Sequence, residues 1–335
     1  MKLSFLTVLL ILTFQSQSFS QTIKNLVFEG AGIRGIAYTG AIKEMEKKNI
    51  LSGIEKVGGT SAGAIIALGI SLNYSADEIT KIIYDTEFGK FNDGKYSIFG
   101  GIHRTTKHYG WFRGKAFEKW LENIIEEKTG NNNITFEELS NKGFKDLYVT
   151  GTCLNKQKLF VFSKQTYPKM KVKDAVRISM SIPLYFEAVY IDRMGTVIES
   201  TKNRNDLDLV VDGGLLANFP LFIFDSIDNN GNRIINNETL GFRIDSDKQI
   251  TADKNNEGLA ICNINNISDY IVSFYTITLE SLNRNDLTAD DWKRTVSISS
   301  CNISPRVKKL SKEQKELLIE SGKNGMINKQ IAILK

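Results

Sequence analysis

Residues 25–41 read NLVFEGAGIRGIAYTGA. Leu26, Val27 and Phe28 form a short apolar run of the kind that becomes a buried strand, and Gly30-Ala31-Gly32-Ile33-Arg34-Gly35 follows with the spacing Gly-x-Gly-x-x-Gly. Backbone amides at such a strand-to-helix turn hold the pyrophosphate of a dinucleotide. The same geometry aims amides at the oxyanion that forms during acyl transfer. The stretch therefore fixes a strand, a turn and a helix, and leaves two chemistries to be separated by what comes after it.

Outward from this stretch, apolar periodicity keeps alternating between strand and helix. Helices are expected over Ile36–Lys48, Ala62–Ile70, Asp77–Thr86 and Lys115–Lys128, and strands over Asn25–Phe28 and Ile54–Val57. Asn49 suits the left-handed residue that closes the first helix. DLYVTGTCL and KLFVFS (158–163) read as paired strands, VKDAVRISMS as a helix, and DLVVDGG and TLGFRID as further strands. A last helix starts near Ser311, where Ser-x-x-Gln makes a capping box. Interleaved strands and helices predict a three-layer α/β/α sandwich around a largely parallel sheet. No repeat or long linker divides 21–335, so one domain with a basic C-terminal helix is expected. Three stretches read as loops: the Gly- and aromatic-rich Phe88–Gly114, and the polar Asp225–Asn237 and Asp245–Asn256. Part of the aromatic stretch is expected to cap an apolar groove or to pack as a satellite core.

A second glycine-flanked motif, Gly59-Thr60-Ser61-Ala62-Gly63, lies between an apolar strand and an apolar helix. Gly-x-Ser-x-Gly is the nucleophile elbow, where small neighbours let a serine occupy a strained turn. On its own the match is weak; its strand and helix context gives it weight. A serine nucleophile needs a base. His103 and His108, the only histidines, fall in the aromatic stretch with no strand to orient them. Asp212, in LDLVVDGGLLANFP, ends an apolar strand and enters the turn Gly213-Gly214. A carboxylate buried at a strand end loses solvation and becomes a stronger base.

A Gly-rich loop after the first strand, a serine elbow after the next and a strand-terminal Asp-Gly-Gly, in this order, resemble the patatin-like phospholipases. RISMSIPLYFEAV (177–189) is similar to that family's small-residue-and-proline segment, and YGWFRGKAFEKWLENII (109–125) to its helix-entry block. The resemblance spans about Asn25 to Pro220 and implies a serine acyl hydrolase with a Ser–Asp dyad and no histidine. By it, Ser61 is the nucleophile, Asp212 the base, and Gly30 to Gly35 the oxyanion loop. Many members carry three successive glycines in that loop. Here the middle one is Ala31, which keeps its N–H but disfavours positive φ. A dinucleotide site would instead want an acidic residue at the end of the second strand. Glu55 sits at that strand's start, and the serine elbow occupies its end. The oxyanion reading is preferred, with a catalytically silent lipid-binding protein on the same scaffold as the alternative. No cofactor or metal is expected: there are two histidines, and Cys153, Cys262 and Cys301 are widely spaced.

The opening MKLSFLTVLLILTFQSQSFSQ has one lysine, about twelve apolar residues and then Ser18 and Ser20, the pattern of a secretory signal peptide over 1–20 cleaved before Gln21. The residue directly after that cleavage point is Gln21 and not cysteine, so no lipid anchor is expected, and the mature chain is expected to be periplasmic or secreted. The net charge is +5, and residues 306–335, with eight basic and three acidic side chains, account for it. That segment reads as a solvated amphipathic helix rather than a nucleic-acid binder. The expected partner is a lipid or other acyl ester, with transient contact to a membrane surface.

Overall fold

The structure is a computed structural model; it describes residues 22–94, 98–200, 204–255, 257–267, 269, 270, 273, 277, 280, 287–304 and 309–333. The expected signal segment 1–20 and Tyr96 lie outside the described residues. Twelve strands are described: β1 (Asn25–Phe28), β2 (Lys56–Gly59), β3 (Gly110–Phe112), β4 (Asp146–Cys153), β5 (Lys158–Phe162), β6 (Leu184–Phe186), β7 (Val189–Ile191), β8 (Asp208–Asp212), β9 (Ser226–Ile227), β10 (Arg233–Ile234), β11 (Thr239–Asp245) and β12 (Thr295–Ser299). The helices are α1 (Ala37–Lys47), α2 (Ala62–Ser71), α3 (Ala76–Asp85), α4 (Ile98–His108), α5 (Lys115–Thr129), α6 (Phe136–Asn141), α7 (Val172–Ser179), α8 (Gly214–Ala217), α9 (Asp247–Asn255), α10 (Ala289–Lys293) and α11 (Lys312–Ile333).

The fold is a three-layer α/β/α sandwich. Its main sheet runs β12-β11-β1-β2-β4-β8-β7, with β5 also paired to β4. From β12 to β4 every pairing is parallel. Strands buried on both faces need near-continuous apolar sequence, and Leu26, Val27, Phe28, Leu240, Phe242, Val296 and Ile298 supply it. The core joins these strands to Ile42 and Met45 of α1, to Ile66 of α2 and to Leu318 and Met326 of α11, so the basic C-terminal helix buries one face. Ser311 caps that helix reciprocally with Gln314, at 3.2 and 3.0 Å.

One detail of the register positions the site. The first half of one edge of β4 pairs with β2, Val149 lying opposite Gly59. The second half of the same edge pairs antiparallel with β8, and Gly151 lies opposite Asp212. Strands β2 and β8 therefore approach each other head-on along one neighbour. Their C-terminal ends, carrying Ser61 and Asp212, meet in the gap.

Three sequence expectations need correction. The stretch 88–114 is not a continuous loop: it contains a 3-10 turn (Phe88–Phe91), α4 and β3, so His103 and His108 are helical. Arg104 fastens α4, its guanidinium donating to the carbonyls of Trp111 (2.9 Å) and Gly94 (2.6 Å). The polar stretch 245–256 folds largely into α9, since its Lys, Gln and Ala residues accept a helix once Ser246 receives the Gln249 N–H. The second strand is β2, Lys56–Gly59, two residues nearer the elbow than Ile54–Val57. Its glycines continue the ladder, Gly58 opposite Tyr148 and Gly59 opposite Val149.

Candidate active site

Ser61 sits between β2 and α2 with φ 52° and ψ −123°, a conformation that costs a non-glycine residue on the order of 1–3 kcal/mol. Surrounding contacts hold it there. A Cβ on Gly63 would lie 2.3 Å from the Phe28 carbonyl oxygen, and one on Gly59 would lie 2.5 Å from Gly63 backbone atoms. Larger residues at either position would push the turn off β1. The Thr60 hydroxyl donates to the Ala217 carbonyl at 2.8 Å and so accepts from Thr150 at 2.6 Å. The Ser61 N–H donates to Ser179 Oγ at 2.9 Å, and Ser61 Oγ lies 3.5 Å from Met180 Sδ.

Asp212 is 6% exposed and Ser61 7%. The Asp212 N–H donates to the Ser181 carbonyl at 3.0 Å, and its Oδ1 accepts from the Gly214 N–H at 2.8 Å. Among the described residues no cation pairs with it. Burial therefore pushes its pKa up to about 7, opposed only by the Gly214 N–H and the Ser61 hydroxyl. The end of α7 thus serves both residues: Ser179 takes the backbone N–H of Ser61, and Ser181 that of Asp212. Arg177, buried on the same helix, donates to Ser181 Oγ at 2.5 Å and to the Arg113 carbonyl at 2.7 Å.

The loop after β1 lies against this pair. Gly32 adopts φ +56°, whereas Ala31 stays at φ −130°, so alanine is unstrained at its position. Residues Gly32–Ile36 form a 3-10 turn whose first internal amide to find an acceptor is that of Arg34, bonded to the Ala31 carbonyl at 3.3 Å. The Gly32 and Ile33 amides precede it and have no acceptor among the described residues, as expected at a helical N-terminus. The Ala62 amide at the start of α2 is in the same position, while those of Gly63, Ala64 and Ile65 are bonded within the turn. Of the expected loop, Gly30 departs: its N–H donates to the Asn218 carbonyl at 3.0 Å, and its own carbonyl accepts from Asn218 Nδ2 at 3.0 Å. Gly30 is a clamp between the two motifs rather than a free donor. Arg34 folds back, Nε donating to the Ala31 carbonyl at 3.2 Å, and braces the turn.

Ser61, Ala62 and Gly32 line a narrow apolar cavity. Its other walls come from Ile65 and Ile66, from Ile83 and from Phe88 and Phe91, with Met180 beside the serine. Of the aromatic stretch, Phe88 and Phe91 reach this cavity among the residues whose side chains are described. Phe112 packs against Tyr185 and Phe186 instead. Neither histidine lines the cavity. Among the described residues no group of three or more His, Cys, Asp or Glu side chains could hold a metal ion, and no helix is long and apolar enough to cross a membrane.

Sequence reading passed over Ser179, Met180 and Asn218. All three stand inside segments already singled out, but neither a small polar residue nor a methionine gives a sign of its partner 100 or more positions away.

A model of the patatin-like phospholipase family matches residues 26–225, more than half of the chain. The chain belongs to the patatin-like phospholipase family. It is 30% identical over 305 residues to an uncharacterised protein of Acanthamoeba polyphaga mimivirus, covering 90% of this chain and 91% of that one. It is 29% identical over 202 residues to a probable lipid hydrolase of Invertebrate iridescent virus 6, covering 60% of this chain and 62% of the relative. A cGAMP-activated phospholipase of Vibrio cholerae is 28% identical over 220 residues, 60% of this chain and 56% of the relative. The matched part is thus under two thirds of either of these two relatives. In fold, the patatin-like chain is similar to VipD from Legionella pneumophila, with a TM-score of 0.57 and 16% identity over 93% of this chain and 67% of that one.

Proposed function

We propose that this chain is an exported lipid acyl hydrolase that cleaves carboxylic esters through Ser61 and Asp212, without metal or cofactor. The observation that carries the reading is a strained serine that lines an apolar cavity and whose hydroxyl meets a buried, cation-free carboxylate. Family membership and the lipid hydrolase and phospholipase among its relatives support the same chemistry.

In this mechanism Ser61 Oγ attacks the ester carbonyl carbon while its proton passes to the Asp212 carboxylate. The carbonyl electrons move onto oxygen, and the Gly32, Ile33 and Ala62 amides donate to that oxyanion. One such donor is worth about 3–4 kcal/mol in comparable sites. Collapse breaks the bond to the alcohol, which leaves with the proton from Asp212. Water then attacks the acyl-enzyme, again giving its proton to Asp212, and the acid leaves as Ser61 regains its hydrogen. The acyl chain rests in the apolar cavity. Tyr109 and Leu184 suit contact with a membrane surface: both are exposed, they are joined by the Leu184 N–H to the Tyr109 carbonyl at 3.2 Å, and Leu184 stands two positions from the cavity-lining Ile182.

A fluorophosphonate probe should label the wild-type chain at Ser61 and fail on Ser61→Ala. Absence of labelling, with lipid binding retained, would leave the silent scaffold as the better reading. Ester hydrolysis should survive excess EDTA; a loss restored by Ca²⁺ would show that the amides do not suffice. Export predicts a mature N-terminus at Gln21, which sequencing of secreted or periplasmic material checks.

A further inference from the structure

The apolar cavity beside Ser61 ends at a wall that it shares with a second cavity. Ile33, Ile36, Ile83 and Phe88 line both. Beyond the wall the lining stays largely apolar, with Leu310 added. Glu87, Lys90, Lys309 and Lys315 add charged groups around this second cavity. Lys90 pairs with Glu87 at 3.0 Å, and Lys315, on α11, donates to the Tyr84 carbonyl. An acyl chain that runs from Ser61 toward these four residues is stopped by them short of the second cavity.

We infer that this wall is the chain-length stop of the enzyme, and that Phe88 and Ile83 are its specificity-determining residues. The inference rests on the hydrolase reading above and names the acyl-chain limit of that same site. Each methylene that gains apolar cover raises affinity by about fourfold. That gain ends where the chain abuts Phe88, whose ring lines both cavities and separates the chain from the further apolar space beyond it. The wall has two halves. Ile33 and Ile36 belong to the turn that carries the oxyanion amides, so changes there disturb chemistry. Ile83 ends α3 and Phe88 starts the following 3-10 turn, both outside the catalytic segments. Phe88 is held in place by ring contacts, edge-on to Phe91 at 5.7 Å and to Trp120 at 6.5 Å. The protein can thus vary its substrate length through Phe88 without touching the amides.

The test is a chain-length profile of kcat/KM on p-nitrophenyl esters from acetate to palmitate, with the full mature chain. In Phe88→Ala the two cavities join, and the ratio of long-chain to short-chain kcat/KM should rise about tenfold, the gain of roughly two buried methylenes. Phe88→Trp thickens the wall and should move the ratio the other way; it keeps the aromatic contacts and carries the test if the alanine variant does not fold. An unchanged ratio in the folded variants, with the wild type active on acetate, overturns the inference and leaves the hydrolase reading standing. A wild type that cleaves none of the esters overturns both.

Discussion

Two carboxylates in this protein are almost equally removed from water, and their surroundings send them in opposite directions. Asp291, on α10, is 0% exposed. It accepts from Arg294 at 2.7 Å, from Arg233 at 2.7 Å and from the Thr288 N–H at 2.9 Å. Burial alone would raise its pKa, yet these donors pull it below the ordinary carboxylate value. Asp212 has the Gly214 N–H and the Ser61 hydroxyl, and its pKa rises to about 7. Burial makes a carboxylate expensive to ionise, and the partner charge decides what it becomes. With two guanidinium groups it is a permanent anion that fastens a helix to a hairpin. With none it can exchange a proton near neutrality, as a general base must.

The comparison breaks most visibly at Asp291. Asp291→Ala leaves Arg294, 5% exposed, beside Arg233, with Asp225 as the one carboxylate still paired to both among the described residues. Stripping one partner from such a cluster costs about 3–5 kcal/mol. Urea denaturation should show that loss, with catalysis of the remaining folded protein little altered.

Asp212→Asn should do the reverse to stability. Below about pH 4 Asp212 is protonated in both folded and unfolded chains. Between there and about pH 7 the unfolded chain releases the proton and the folded one keeps it, so wild-type stability falls as pH rises. The accumulated loss above pH 7 is on the order of 4 kcal/mol. The asparagine variant should therefore unfold at higher urea than wild type at pH 8 and show no such advantage at pH 4. Equal stability at both would mean the carboxylate is better solvated than its surroundings imply.

A smaller effect sharpens the same contrast in the rate. If Asp212 is the base, kcat/KM should fall about tenfold per pH unit below about 7 and level off above it. A profile flat from pH 5 to 8 would remove Asp212 from that role.

How much of this was legible in the sequence follows from what each feature needs. The glycines around Ser61 are required by backbone contact, and such contact leaves a fixed residue type behind; Gly63 against the Phe28 carbonyl is the clearest case. The same applies to the strand-terminal Asp-Gly-Gly and to the apolar strands of the parallel half-sheet. Strand direction leaves no residue type behind, so nothing in DLVVDGG announced that β8 runs antiparallel and meets β2 head-on. Nor did the Gly-rich stretch around His103 announce a helix, because the bonds of Arg104 that fasten α4 are tertiary. Part of the aromatic segment is expected from the sequence to cap an apolar groove, and Phe88 and Phe91 are the members that reach it among those whose side chains are described. Which aromatic faces inward is decided by packing across the chain.

The most direct test of the central claim is kcat for Asp212→Asn set beside that for the double variant His103→Ala, His108→Ala, each checked for folding by circular dichroism. Asparagine keeps the shape of the side chain and removes its basicity. A folded Asp212→Asn should lose at least about 10³ in kcat, whereas the histidine double variant should stay within about tenfold of wild type. A folded Asp212→Asn that retains wild-type kcat, together with a histidine pair that proves essential, would contradict the account.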